Sequence, residues 1–413
     1  MAKQRKKSTP YKSQKVLAAQ YRNDFFHKMK RIIDSVCGTD IFPLLPKFLL
    51  EDVYLNRSKP FKVKAHPDCE IPSSVLKEAK TLLPHLIKEH TLSIPSHNIE
   101  IPLNEYFTVV VTIVILHARI SAISFPNAQK VKDALQFFVN DTVIYENANK
   151  ELFSVLNTFN LGDNDLRKAL YWYTLDLIVP NTFSGETENI IIINSVTPES
   201  ISIKVDGIKR PAIRAGWAQP HTGPAWIQLK PSDLGVKGPF AEIPLNVYIQ
   251  SHAINRLIER IDCFWIGVVQ LNMYSSLMKP IITHDTNHNL LIEFTIFNTK
   301  AGYFRADIVD GVILIRTFLF VTNSGTPEGQ LLEKNTGLQK LDKKYLNIDK
   351  LSTFMNSDLD KNLHVQQLFK NAGCQCLLDL YTKMQPLLVT DTTEFNFDKM
   401  LSYLTGIRDI HSR

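Results

Sequence analysis

The sequence predicts an α+β protein with a helical N-terminal half, a central β-rich part containing a helix-plus-antiparallel-meander unit, and a helical C-terminal part. Three observations carry this reading. Apolar residues recur at helical spacing up to about Pro180, alternate with polar residues in segments between about 188 and 322, and return to helical spacing beyond about 338. With 413 residues, 44% of them hydrophobic, the chain is long enough to bury a full core and to divide into two or three domains. We read a basic arm over 1–16, a helical domain over 17–180, a small β module over 187–245, the helix-plus-meander unit over 246–330 and a helical part over 331–413.

In the first half, Leu17, Tyr21, Phe25, Met29, Ile32 and Ile33 form an amphipathic stripe that stops at Cys37-Gly38. Prolines at 43, 46, 60, 67, 72, 84, 95 and 102 keep helices short over 40–103, where 73–90 is the clearest. Helices follow over about 104–124, 127–159 and 163–179, the last holding Tyr171, Trp172 and Tyr173 as core.

In the centre, Ile201, Ile203 and Val205 alternate with polar residues up to Asp206-Gly207, the strongest hairpin signal in the chain. Trp217 and Trp226 follow in a loop-rich piece, where they either stack on bases or fill a small β core. Segments 290–297, 302–310 and 311–322, the last two joined at Asp310-Gly311, predict an antiparallel meander. The glycines of 322–334 lack the Gly-Lys-Ser/Thr of a phosphate-binding loop. Thr326 as N-cap, Pro327 at the first helical position and Glu328 in the first turn mark a helix start instead. Helical spacing then recurs over 344–355, 364–384 and 397–407.

Five scattered cysteines without CxxC spacing point to reduced thiols and hence to the cytoplasm. The N-terminus lacks the apolar stretch of a secretory signal, and the apolar run at 107–116 is too short for a membrane span, so no membrane partner is expected. The net charge of +6 is unevenly placed: residues 1–31 hold ten Lys or Arg against one acid. Lys3, Arg5, Lys6 and Lys7 are therefore candidate nucleic-acid-binding residues, in an arm that is either a handle for a polyanion or a solubilising tail.

No cofactor or metal is expected. The chain has no zinc-protease, EF-hand, hydrolase-elbow or dinucleotide signature. His284, Asp285 and His288 lack a fourth ligand at a recognisable spacing and read as a polar loop. Cys374 and Cys376 read as buried thiols of an apolar helix.

The segment SHAINRLIERID, 251–262, concentrates chemistry. On a helix, His252, Arg256 and Arg260 fall one turn apart with Glu259 beside them, and Ala253, Ile254, Leu257, Ile258 and Ile261 take the other face. Cleavage of RNA through its own 2′-hydroxyl needs a proton acceptor, a donor for the leaving oxygen and fixed cations for the extra charge on phosphorus. His252 titrates near neutrality, Glu259 is its candidate partner, and Arg256 and Arg260 suit bidentate phosphate binding. Lys300, Arg305, Arg316 and Thr317 on the following strands complete the candidate set. The same stripe also reads as a solvated face on which Glu259 relieves the repulsion between two arginines.

The pattern Ser251-His252-Ala253, Arg256, Glu259-Arg260, followed by a meander with Thr317 or Thr322 on its last strand, resembles the bacterial toxin ribonucleases of the barnase, colicin and RelE-like fold. The resemblance covers about 246–330. It implies a metal-independent endoribonuclease with RNA on the concave face of a small twisted sheet, and a neutralising protein partner that the sequence does not identify. Two features depart from that pattern: Ile261-Asp262 stands where Gly-Ile is common, and 246–330 holds six basic against seven acidic residues. The alternative is a non-catalytic nucleic-acid-binding or assembly protein that uses its basic arm.

Overall fold

The computed structural model describes residues 14–121, 123–178, 188–357, 359 and 362–384. Lys3, Arg5, Lys6, Lys7 and the helix expected over 397–407 lie outside them. The architecture is α+β, and the chain divides into two compact units: 1–159 with 173–194, and 160–172 with 195–413.

The first unit opens with α1 (Gln14–Cys37), which buries Phe25, Met29, Ile32 and Ile33 of the stripe, while Leu17 and Tyr21 stay exposed. Gly38, at φ +98°, ends it. Then come α2 (Lys47–Leu55), β1 (Lys62–Ala65) and α3 (Ser73–Glu89). Pro84 sits exposed inside α3, so the helix runs longer than the proline count suggests. β2 (Thr91–Ile94) and β3 (Ile99–Pro102) form a hairpin. α4 (Leu103–Glu105) leads through a π-helical turn at Tyr106–Val110 into α5 (Val111–Ile120). Leu103–Ile120 is long and apolar enough to cross a membrane by length and composition, and 61% of it is buried inside the protein. α6 (Ala128–Asn140) and α7 (Thr142–Asp163) divide the helix expected over 127–159, with the Asp141 carboxylate accepting from the Ile144 amide.

The helix expected over 163–179 is a correction. The aromatic group lies in a strand, β4 (Leu170–Ile178), where buried Tyr171 and Tyr173 flank a half-buried Trp172. Helical spacing misled because a run of aromatic and branched residues satisfies both periods; aromatic enrichment favours the strand. β4 joins β5 (Glu188–Val196), which pairs in parallel with β1, in the order β1-β5-β4. The helical half therefore carries a sheet of its own.

The second unit is built on one large sheet. β6 (Ser200–Val205) and β7 (Ile208–Arg214) form the predicted hairpin, with Asp206 and Gly207 both at positive φ, as a two-residue turn of this hand demands. β8 (Gly216–Gln219) and β9 (Gly223–Trp226) make a small separate hairpin, in which Trp217 is 4% exposed and so belongs to the core. β10 (Gln228–Leu229) pairs with β11 (Leu245–Gln250), which runs directly into α8 (Ser251–Arg260).

α9 (Ile266–Met278) precedes β12 (Ile282–His284), β13 (Leu290–Ile296), β14 (Thr299–Val309) and β15 (Val312–Phe320), the expected meander extended by one strand. The strand order is β12-β13-β14-β15-β11-β7-β6. β11 lies parallel to β15 and antiparallel to β7, so strands from 187–245 and 246–330 form one sheet.

Alternation along the strands sorts the two faces. Val247, Ile249, Ile313 and Ile315 enter the main core with Ala253, Ile254 and Leu257 of α8, while Tyr248 and Leu314 join a small cluster with Ile203 and Ala212. The same main core holds α10 (Pro327–Thr336), α12 (Leu351–Met355), α13 (Leu363–Asn371) and α14 (Gln375–Met384). Between α10 and α12 runs the short α11 (Lys340–Tyr345).

The start of α10 is tightly fitted. The Thr326 hydroxyl accepts from the Gly329 amide at 3.0 Å, and Pro327 takes the first helical position. A Cβ on Gly329 would lie 1.8 Å from the Asn323 carbonyl oxygen, a backbone atom that cannot swing away. Gly329→Ala is expected to destabilise the second unit by about 3 kcal/mol, measured by chemical denaturation, because overpacking against backbone has no cheap relief; a midpoint equal to wild type would contradict this packing.

Candidate functional site

β11 ends at Gln250 and turns into α8, whereas its parallel neighbour β15 continues to Phe320. Their register stops at Ile249 opposite Ile315, so from Thr317 onward β15 is paired on its β14 side alone. The gap left beside that strand is a cavity of about 370 Å³. One wall is α8, through His252, Arg256 and Arg260; another is Thr317–Leu319; Asn323 and Ser324 line the loop side; and α11 contributes Lys340, Leu341, Lys343 and Lys344.

Five cationic side chains and one carboxylate, Asp349, face this cavity, but they are differently committed. Lys340 and Lys344 are exposed and have no ion-pair partner among the described residues. Arg256 is half-exposed and bonds Glu259 at 2.8 Å, a surface pair of small worth that a ligand can exchange. Lys343 is 2% exposed; its ammonium donates to the Gly329 carbonyl at 2.8 Å and to Ser324 at 3.2 Å, and burial lowers its pKa. It is a buried tie between α10 and α11.

Arg260 corrects the expectation. Spacing puts it on the polar stripe, yet it is 9% exposed and forms an ion pair with Asp349, with a further contact to the Asp349 carbonyl at 3.4 Å. Burial pushes the Asp349 carboxyl up, against the pull of the guanidinium. Arg260 is thus spent on structure.

His252 is exposed at the cavity edge, and its imidazole has no hydrogen bond among the described residues. Partial burial, then the charges of Arg256 and of Arg210 on β7, pull its pKa below the ordinary histidine value, with Glu259 opposing. The lowered pKa favours the neutral imidazole, the form that accepts a proton.

Of the other predicted residues, Thr317 lines the cavity, and Lys300, Arg305 and Arg316 do not. Lys300 is held by Glu328 at 2.5 Å and Tyr303 at 3.0 Å; burial alone would lower its pKa, but these bonds outweigh it and push it up. Arg305 donates to Asn289 at 2.7 Å, and Arg316 spans Asp206 and Asp307 at 2.5 and 2.9 Å. Arg305 pairs with Thr317 and shares its face of the sheet but stands one strand further from the cavity, and Arg316, which the register shift between Arg305 and Ala306 leaves without a β14 partner, turns to Asp206 and Asp307. Glu259 does not face the cavity; it sits between Arg256 and Arg260, at 2.8 and 3.8 Å.

Among the described residues no group of three or more His, Cys, Asp or Glu is placed to hold a metal ion. Asp285 instead closes its own loop through the amides of Asn287 and Asn289. Burial pushes the Cys376 thiol up to about 12, far from a reactive thiolate.

The residues missed from sequence are Lys340, Lys343, Lys344, Asp349 and Arg210. The run Lys340-Leu341-Asp342-Lys343-Lys344-Tyr345 is a visible basic cluster, but nothing local ties it to His252. Comparison of the chain with protein families, curated proteins and solved structures finds no match.

The ion-pair assignments give a sharp contrast. Arg260→Ala is expected to cost about 3–5 kcal/mol by leaving a buried carboxylate unpaired, and Arg256→Ala about 0.5 kcal/mol or less. Equal thermal-shift losses for the two variants would contradict the distinction.

Proposed function

We propose that the second unit is a nucleic-acid-binding module that grips the phosphate backbone, RNA foremost, in the cavity between α8 and α11. The carrying observation is the charge around that cavity: Arg256, Arg260, Lys340, Lys343 and Lys344 against Asp349, with Arg210 close enough to lower the His252 pKa. With Arg260 and Lys343 committed internally, Arg256, Lys340 and Lys344 remain as the groups that meet a phosphate. Binding through them releases counterions, so affinity falls steeply with salt. Each of Lys340→Ala and Lys344→Ala is expected to lower the slope of log K against log salt by about 0.7 to 1, read by fluorescence anisotropy with labelled RNA. Wild-type binding that ignores salt would reject the proposal.

A second reading, metal-independent endonucleolytic cleavage, is favoured by one feature: beside Arg256 stands an exposed imidazole with a lowered pKa and no hydrogen bond among the described residues. In that reaction His252 takes the 2′-hydroxyl proton, the 2′-oxygen bonds to phosphorus, and the departing 5′-oxygen leaves as it gains a proton from a Lys340 or Lys344 ammonium. Glu259, tied to its arginines, has no part in this version.

pH separates the readings. The His252 pKa lies below its ordinary 6.5, so the imidazole charges only as pH falls under that value. A bound phosphate favours the charged form, hence affinity should rise as pH drops from 7.5 toward 5.5, and His252→Ala should flatten the curve. If His252 is the proton acceptor, RNA cleavage in EDTA should instead rise with pH through the region below 6.5 and then level off. Uncut RNA after long incubation, identical for wild type and His252→Ala, leaves binding alone.

A further inference from the structure

α11 carries more than charge. At about 100° per residue, Lys340, Lys344, Leu341 and Tyr345 fall in that order within about 140° of arc, with Lys343 on the opposite, buried side. Leu341 is 79% exposed and Tyr345 63% exposed, one turn apart, and Leu341 itself lines the cavity. Two exposed ammonium groups and Leu341 thus line the cationic pocket, and exposed Tyr345 follows one turn on along the same arc of α11.

We propose that this face of α11 is a base-stacking platform and that the pocket takes single-stranded rather than duplex nucleic acid; the proposal rests on the phosphate-binding reading above. In a duplex the bases stack on one another, so protein cations reach phosphates while Leu341 and Tyr345 meet nothing. A single strand can place a phosphate on Lys340 and Lys344 and lay its unstacked base on the neighbouring apolar pair. Side chains one helical turn apart are about 5–6 Å from one another at Cβ, a span that one nucleotide covers. Stacking on an aromatic side chain tolerates any base, so the platform selects for strandedness and not for sequence. The cavity, about 370 Å³, is of small-molecule size, room for a nucleotide and not for a duplex.

The test is anisotropy titration of the full-length protein with a labelled oligouridylate and with a labelled duplex of the same length, at low and moderate salt. Expected are at least tenfold tighter binding of the single strand, a loss of about tenfold for that strand alone in Tyr345→Ala with duplex binding kept, and retention of both in Tyr345→Phe. Equal affinity for the two ligands, or a Tyr345→Ala variant as tight as wild type while Lys344→Ala weakens binding, overturns the platform and leaves the phosphate site standing. Absence of salt-dependent binding to either ligand overturns both.

Discussion

The buried ion pair between Arg260 and Asp349 is the contact on which the site depends. It fastens the last turn of α8 to the segment that follows α11, and both partners are more than nine-tenths buried. Neighbouring bonds reinforce the same seam. The Asp262 carboxylate accepts from the amide and hydroxyl of Ser352 at the start of α12, at 3.0 and 2.8 Å. The Thr322 hydroxyl donates to the Ile348 carbonyl at 2.7 Å, fixing the same segment to the end of the sheet. Together with the Lys343 tie to α10, this seam holds the α11 lysines opposite the α8 face.

This division of labour explains a paradox in the charge distribution. Collecting several cations in one hollow is unfavourable unless some are neutralised or serve as internal donors. Here the two most buried, Arg260 and Lys343, are satisfied by Asp349 and by the Gly329 carbonyl with Ser324. The remaining three keep solvent contact, where repulsion is screened. A dianionic or bridging phosphate entering the hollow would meet donors that lose little by turning to it. His252 fits the same field: partial burial, and then the neighbouring Arg256 and Arg210 charges, lower its pKa.

Much of the fold was legible because it rests on local rules. The Asp206-Gly207 and Asp310-Gly311 turns, the amphipathic α8, and the Thr326-Pro327 helix start each follow from a few adjacent residues. The strand at Tyr171–Tyr173 was not, since aromatic runs satisfy either period and the partner strand β5 decides. For the site, sequence found His252, Arg256 and Thr317, which share the cavity. It misjudged Arg260, because helical spacing says which face a residue takes but not whether a distant carboxylate will cover it. It also assigns Lys300, Arg305 and Arg316, which lie near α8 in sequence but are held away from the cavity by Glu328, Asn289 and the Asp206–Asp307 pair. The α11 lysines were invisible as partners, for their meeting with α8 is made by tertiary packing.

The central claim is that ligand and protein meet at the seam between α8, the free edge of β15 and α11. Hydrogen–deuterium exchange of the full-length protein, with and without a saturating short oligoribonucleotide, tests it most directly. Expected is protection confined to peptides covering 251–260, 317–324 and 340–349, with the β13–β14 hairpin unchanged. Protection centred on that hairpin, near Lys300 and Arg305, or no protection in any of the three segments, would contradict it.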